Sequence, residues 1–82
     1  MTMTVSGLLA RILEKKENRI IRDPYWDQLN EMERFVQDWS GRLEGEIGVL
    51  EGRDEDAERA VRRLKRYAEE IDEIPDEPEA PL

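Results

Sequence analysis

Two pairs of carboxylates lie at helical spacing in this sequence, and paired carboxylates are residues that can hold a metal ion. Glu14 and Glu17 are three positions apart, and so are Glu51 and Asp54. Residues at positions i and i+3 share one face of a helix, and magnesium prefers oxygen ligands. The spacing therefore raises a magnesium site as one hypothesis.

These four carboxylates resemble a pattern in all-α nucleotide pyrophosphohydrolases of the MazG type. Those enzymes hold magnesium with a Glu-x-x-Glu and a later Glu-x-x-Asp on helices, so the resemblance implies a magnesium-dependent nucleotide hydrolase. It covers Glu14, Glu17, Glu51 and Asp54 only, and the second pair falls at a glycine-rich helix end. Since 21 of the 82 residues are acidic, such spacings also arise by chance, which is the interpretation we favour.

Histidine and cysteine are absent from the sequence. A zinc site, a histidine general base and a Ser-His triad are therefore excluded by residue type. We expect a protein that is not an enzyme and that has neither a metal site nor a cofactor. No apolar run approaches the roughly 20 residues that cross a bilayer, and no basic region of a signal peptide precedes the first apolar stretch. We therefore expect a cytoplasmic protein.

A basic strip runs along the third predicted helix (residues 54–73), opposite its apolar face. Its members are Arg59, Arg62, Arg63 and Arg66. The strip could contact phosphate or nucleic acid, but we favour pairing with the acidic body of the second helix or simple solvation, since surface charge patterns contribute little. The net charge is −8, with eleven acids and three bases in residues 23–56. This balance predicts no nucleic-acid partner. The acidic body suits a basic protein partner or serves only solubility, and we favour the second interpretation.

Aromatic residues are candidates for contact with a protein partner. Trp26 and Phe35 lie on the margins of the apolar stripe of the second predicted helix (residues 24–51). Aromatic residues are enriched at interfaces. The alternative is that they cover the neighbouring helices, because aromatic side chains dominate small cores. Trp39 lies on the stripe itself, where we expect it in the core or in an interface.

Glycines recur at steps of four, three and four near the middle of the chain. They are Gly41, Gly45, Gly48 and Gly52. On a continuous helix these glycines would lie on one face, opposite the apolar stripe of the second predicted helix. The backbone of a second helix could approach that glycine face closely. Gly41, Gly45 and Gly48 are therefore candidate partner contacts. The alternative is a bent, frayed or looped helix end, because glycine is a poor helix former.

Capping residues predict the starts of the first and third helices. Thr4 or Ser6 can cap a helix over residues 5–18, and Asp54 can cap one over residues 54–73. Acidic residues follow Asp54 directly, and negative charge is favourable in the first turn of a helix.

Asp23 and Pro24 predict the start of the second helix, because aspartate favours the N-cap and proline the first helical position. The apolar positions that follow step by three and four residues, which predicts a long amphipathic helix over residues 24–51. A strand over residues 43–49 is the alternative, since apolar residues also alternate there.

The sequence thus predicts an all-α fold, in which a short N-terminal helix precedes a long antiparallel, coiled-coil-like helical hairpin. We expect one domain over residues 1–74, a disordered acidic, proline-rich tail over 75–82, and a homo-oligomer. The expected function is a small acidic protein–protein interaction module that acts as an inhibitor, adaptor or assembly factor, such as a phage or bacterial accessory protein that targets a host defence complex. The alternatives are a structural or scaffolding subunit and a nucleotide-binding protein or magnesium-dependent nucleotide hydrolase.

Overall fold

Three α-helices form the body of the computed structural model, which describes residues 3–17, 19 and 21–76. The all-helical class expected from the sequence is confirmed. The elements are α1 (Val5–Glu17), α2 (Trp26–Ser40), a 3-10 turn (Ile47–Val49) and α3 (Glu55–Glu73).

Side chains cap the starts of α1 and α3. Thr4 Oγ1 accepts a hydrogen bond from the backbone N–H of Gly7 at 2.9 Å. Asp54 Oδ1 accepts one from the backbone N–H of Ala57 at 2.8 Å. Each bond satisfies a donor that the first turn of a helix leaves without an intrahelical partner. The capping roles expected for Thr4 and Asp54 are confirmed.

Asp23 precedes α2 but does not cap it. The N-cap position is Tyr25, whose side chain makes no capping hydrogen bond. Asp23 instead closes a turn, in which its Oδ1 accepts from the backbone N–H of Tyr25 at 2.8 Å. Its carboxylate is also bound by Arg19, at 3.2 Å. The helix starts later than predicted because Asp23 is engaged in this turn.

The predicted second helix over residues 24–51 is wrong in its last third, because α2 ends at Ser40. Gly45 has a φ angle of +125°, which no residue of a right-handed helix adopts. Leu43 and Ile47 nevertheless remain buried. The periodic apolar positions therefore still face the core, although the backbone there is not helical. The long helical hairpin is not confirmed, and α1 rather than α3 is the helix that packs most extensively on α2.

The glycines of residues 41–52 therefore do not form a stripe on one helix. Gly41 is exposed just after α2, and Gly48 lies in the 3-10 turn. That Gly41, Gly45 and Gly48 contact a partner stays a prediction, without the helical geometry on which it rested.

A short backbone pairing replaces the missing helical turns. The N–H of Val5 donates to the carbonyl of Gly45 at 3.2 Å, and the N–H of Ile47 donates to the carbonyl of Met3 at 2.8 Å. The result is an isolated antiparallel bridge between Thr4 and Glu46. Among the described residues, this bridge is the only β-structure in the segment 43–49, for which a strand was the alternative prediction. This pairing holds the loop against the start of α1.

The core draws side chains from every helix and from the loop. Its largest apolar members with no more than 1% exposure are Leu8, Ile12, Leu29, Met32, Leu64 and Ile71. The apolar seam of α2 is thus covered within one chain, and it does not by itself require a second copy. Oligomerisation stays a prediction. None of the described helices is long and apolar enough to cross a membrane.

Candidate functional site

The four arginines of the basic strip line one shallow depression on α3. The depression holds about 280 Å³, and its lining residues are Arg59, Arg62, Arg63 and Arg66. Residues three and four positions apart share a helix face, and the opposite face of α3 is buried in the core. The sequence-predicted strip is therefore brought together as one patch.

Only part of this patch is neutralised by nearby acids. Arg63 Nη2 lies 3.2 Å from Glu31 Oε1 on α2, and Arg66 Nε lies 3.6 Å from Glu70 Oε1. Among the residues that the structure describes, no carboxylate lies within 4.0 Å of Arg59 or Arg62. Among these arginines, the expected pairing with the second helix holds for Arg63 alone, since Arg66 pairs within α3 and Arg59 and Arg62 are exposed.

Aromatic rings adjoin the arginines. The ring centroids of Phe35 and Tyr67 are 5.7 Å apart in an edge-to-face arrangement, and those of Phe35 and Trp39 are 6.4 Å apart. The guanidinium carbon of Arg63 lies 4.8 Å from the Phe35 centroid, and that of Arg42 lies 5.1 Å from the Trp39 centroid. These distances are within the range of cation–π attraction.

Arginines and rings together form a continuous surface, which we call the arginine–aromatic surface. Its members are Phe35, Trp39, Arg42, Arg59, Arg62, Arg63 and Arg66, and the buried ring of Tyr67 lies beneath Arg63 and Arg66.

A second depression on this surface adjoins the first and shares Arg59 and Arg63 with it. It holds about 290 Å³, and Phe35, Trp39 and the Ala60 side chain supply its apolar lining. The remaining lining residues are Arg42 and Asp56. Phe35 and Trp39 are half-buried, so each ring is both held by the core and open to solvent. The two depressions can hold an apolar group beside bound anions.

Trp26, the other aromatic candidate, is not part of this surface. It lies nine residues before Phe35 on α2, which places the two side chains about 180° apart around the helix. Lys16 Nζ sits 4.8 Å from the Trp26 ring centroid and 3.0 Å from Glu33 Oε2. A partner contact by Trp26 stays a prediction, but it would use a different face from Phe35.

The carboxylate pairs do not form a metal centre. Within residues 3–17, 19 and 21–76, no group of three or more acidic residues could hold a metal ion together. Glu14 lies 3.5 Å from Arg11, and Asp54 is occupied as the N-cap of α3. The pattern that resembles the MazG type thus finds no structural support.

Two cations near the end of α1 are buried, which was not predicted from the sequence. Lys15 is 2% exposed and Arg19 is 6% exposed. Lys15 Nζ donates to the carbonyl oxygen of Ile74 at 2.6 Å and to Asp76 Oδ1 at 2.7 Å. Arg19 donates to the carbonyl oxygen of Pro75. We call this arrangement of Lys15 and Arg19 around residues 74–76 the cationic clasp.

The cationic clasp changes where the predicted tail begins. Pro75 is half-buried and Asp76 is bound by Lys15, so these two residues belong to the folded body rather than to a tail. Residues 77–82 lie outside the described residues. One signal was present in the sequence, because Arg19 would fall on the apolar side of the first predicted helix if that helix continued past residue 18.

Replacing Asp76 with asparagine is expected to lower the free energy of unfolding at neutral pH, because it removes a contribution that the wild-type protein itself loses in acid. The hydrogen bond from Lys15, followed by the charge of Lys15, holds the pKa of Asp76 below its ordinary value of 3.8. Because this pKa is lower in the folded state, the carboxylate stabilises the fold above pH 3.8 and loses this contribution as the pH falls through its folded pKa. Urea unfolding at about pH 7 and about pH 2 measures the effect.

The wild-type protein should unfold at a higher urea concentration than Asp76→Asn at neutral pH, and the difference should shrink at acid pH. Asp72→Asn is the matched control, because Asp72 is exposed on α3. An equal difference at both pH values would mean that the charge of Asp76 contributes nothing to the clasp.

The described residues define a small three-helix protein in which the arginine–aromatic surface is a mixed cationic and aromatic face. Comparison of the chain with protein-family models, with curated proteins and with solved structures finds no match. The functional proposal accordingly rests on this face.

Proposed function

We propose that this chain is a small protein-interaction module that binds a partner protein through the arginine–aromatic surface. The observation that carries the proposal is the stacking of Arg42 on Trp39 and of Arg63 on Phe35, at 5.1 and 4.8 Å, at the rim of an open depression. Tryptophan, tyrosine and arginine are the residues most enriched at binding hot spots. Half-buried rings also lose little side-chain freedom when a partner binds, which favours affinity.

The proposed role requires no chemistry by the protein itself. An inhibitor needs one binding surface, whereas an adaptor or assembly factor needs two. The arginine–aromatic surface would supply the first, and the face of α2 that bears Trp26 is the candidate for the second. An inhibitor encoded by a phage remains one form of this proposal.

Self-association and a basic partner remain part of the proposal. Among the described residues, the large exposed apolar side chains are Leu13, Ile21 and Val49. Single exposed apolar residues are ordinary on monomers, so self-association rests on the small size of the chain. A basic partner would suit the acidic body of residues 23–56 rather than the arginine–aromatic surface.

Site-specific photocrosslinking tests the proposed function. Benzoylphenylalanine is placed at Arg62, which is exposed within the surface, or at Lys65, which lines a separate depression with Met3 and Ile47. In lysate of the cells that produce the protein, we expect one dominant adduct from position 62 and little from position 65. Adding Arg59→Gln should lower the yield at position 62 several-fold, because hot-spot contacts are not redundant.

Equal adduct patterns from the two positions, or none from either, would contradict the proposal. Circular dichroism of each variant checks the fold, which we expect to be unchanged because Arg59, Arg62 and Lys65 are exposed.

A further inference from the structure

We infer that the arginine–aromatic surface recognises an extended acidic segment of a partner protein, with carboxylates at alternate positions and an apolar side chain at the end next to Trp39. This inference rests on the proposed function and specifies the chemistry of the partner.

The spacing of the arginines matches an extended acidic chain. Arg59 and Arg63 are four residues apart on α3, as are Arg62 and Arg66, which separates each pair by about 6 Å along the helix axis. Side chains two positions apart on an extended chain point the same way and are about 6.6–6.8 Å apart. Carboxylates at positions i and i+2 can therefore each meet a guanidinium, whose planar fork suits a carboxylate.

Arg59 and Arg62 pair with no carboxylate within 4.0 Å among the described residues, and both are exposed. The Nη2 contact of Arg63 is weak, while Arg63 Nε stays bound to the hydroxyl of Tyr67 at 2.8 Å. The Arg63 and Glu31 side chains are 41% and 69% exposed, and exposed ion pairs of this kind are weak. An incoming carboxylate can thus replace Glu31 at little cost.

The Trp39 end of the surface selects a different group. There the depression has an apolar lining from Phe35, Trp39 and Ala60, and Asp56 is also part of its wall. An apolar side chain would bury against these rings, and Arg59 and Arg63, which also line this depression, would lie beside the first carboxylate of the segment. The segment is therefore expected to place an apolar residue near Trp39 and its acids toward Arg66.

The charge of the whole chain favours a short acidic protein segment over nucleic acid. Nucleic-acid binders neutralise many phosphates along a basic surface. Here the net charge is −8, and the patch is flanked by Asp56, Glu31 and Glu70. A long polyanion would extend past the arginines onto acidic residues, which a short segment avoids.

Titration calorimetry with synthetic peptides tests the inference. The probe carries one leucine followed by three glutamates at alternate positions with serine between them. One control replaces the glutamates with glutamine, and a second has the same composition with the glutamates in one block. We expect the alternating probe to bind at least about fivefold more tightly than the block peptide, and the glutamine peptide not to bind measurably.

Protein variants locate the site. Arg59→Gln with Arg62→Gln should weaken binding of the alternating probe at least about tenfold. Arg53→Gln with Lys65→Gln makes the same change in net charge at exposed positions outside the surface, and it should change binding less than about twofold. Equal binding of the alternating and block peptides, or equal effects of the two double variants, would overturn the inference.

Two further measurements identify a different occupant. Tighter binding of a short oligothymidylate than of the alternating probe would assign the surface to nucleic acid. Self-association that Arg59→Gln with Arg62→Gln abolishes in sedimentation would assign it to a second copy. Either result overturns the inference. If the peptides do not bind but the crosslinker at position 62 captures a partner, the inference is wrong and the proposed function stands. If neither the peptides nor a crosslinked partner binds, both are wrong.

Discussion

Replacing Arg19 with methionine is expected to lower the free energy of unfolding by about 3–5 kcal/mol. The Arg19 side chain has no exposed surface and lies 3.2 Å from Asp23 Oδ1, whose side chain is 4% exposed. It also donates to the carbonyl oxygens of Lys15, at 2.7 Å, and of Pro75. Methionine would leave a buried carboxylate without its cation and two carbonyl oxygens without that donor, each of which is costly.

The expected loss is large for a chain of this size. An 82-residue domain has a stability of about 4–12 kcal/mol, so Arg19→Met should remove a substantial share of it. Urea unfolding followed by far-UV circular dichroism measures the change. We expect a lower midpoint and, in the least stable case, an unfolded fraction in the absence of urea.

Matched variants separate the buried ion pair from the loss of an arginine. Arg22→Met removes an exposed arginine from the same connection and should change the stability by less than about 0.5 kcal/mol. Arg19→Lys should also destabilise, because one ammonium cannot reproduce the fork of the guanidinium. Combining Arg19→Met with Asp23→Asn should cost less than the sum of the two, because the unpaired buried charge is then absent. Equal effects of Arg19→Met and Arg22→Met would show that the buried pair does not stabilise the fold.

Gly52→Ala is expected to lower the free energy of unfolding by about 2–4 kcal/mol, although it adds one methyl group. A Cβ atom at Gly52 would lie 2.7 Å from the carbonyl carbon of Ala57 and closer still to the backbone of Glu58. These atoms belong to the first turn of α3 and cannot rotate away as a side chain would. The start of α3 must therefore shift, which also strains the Asp54 cap.

Gly41→Ala is the control for this prediction. A Cβ at Gly41 would meet nothing within 4 Å, and its φ of −84° suits any residue. This change should be neutral or should stabilise by up to about 1 kcal/mol, because alanine restricts the unfolded chain. Thermal melts of both variants measure the contrast. Similar melting temperatures would show that the close approach of Gly52 to α3 is absent in solution.

The basic strip was predictable from the sequence, but the full surface was not. Arg59, Arg62, Arg63 and Arg66 share a helix face by spacing alone, and Phe35 was a candidate for partner contact. Arg42 was not among the predicted candidates, although it lies three positions after Trp39, a spacing that brings two side chains together on a helix. Its guanidinium carbon lies 5.1 Å from the Trp39 ring centroid.

The residues alone determined the helical segments, the caps at Thr4 and Asp54, and the arginine face of α3. These features depend on side chains within a few positions of one another. Only the tertiary structure decided that α2 stops at Ser40 and that Lys15 is buried. The loop after α2 is held by backbone pairing with residues 3–5, and the acceptors of Lys15 lie 59 and 61 positions away. A local pattern carries no information about partners that only the folded chain brings together, so nothing close to Lys15 in the sequence indicates that it is buried against Ile74 and Asp76.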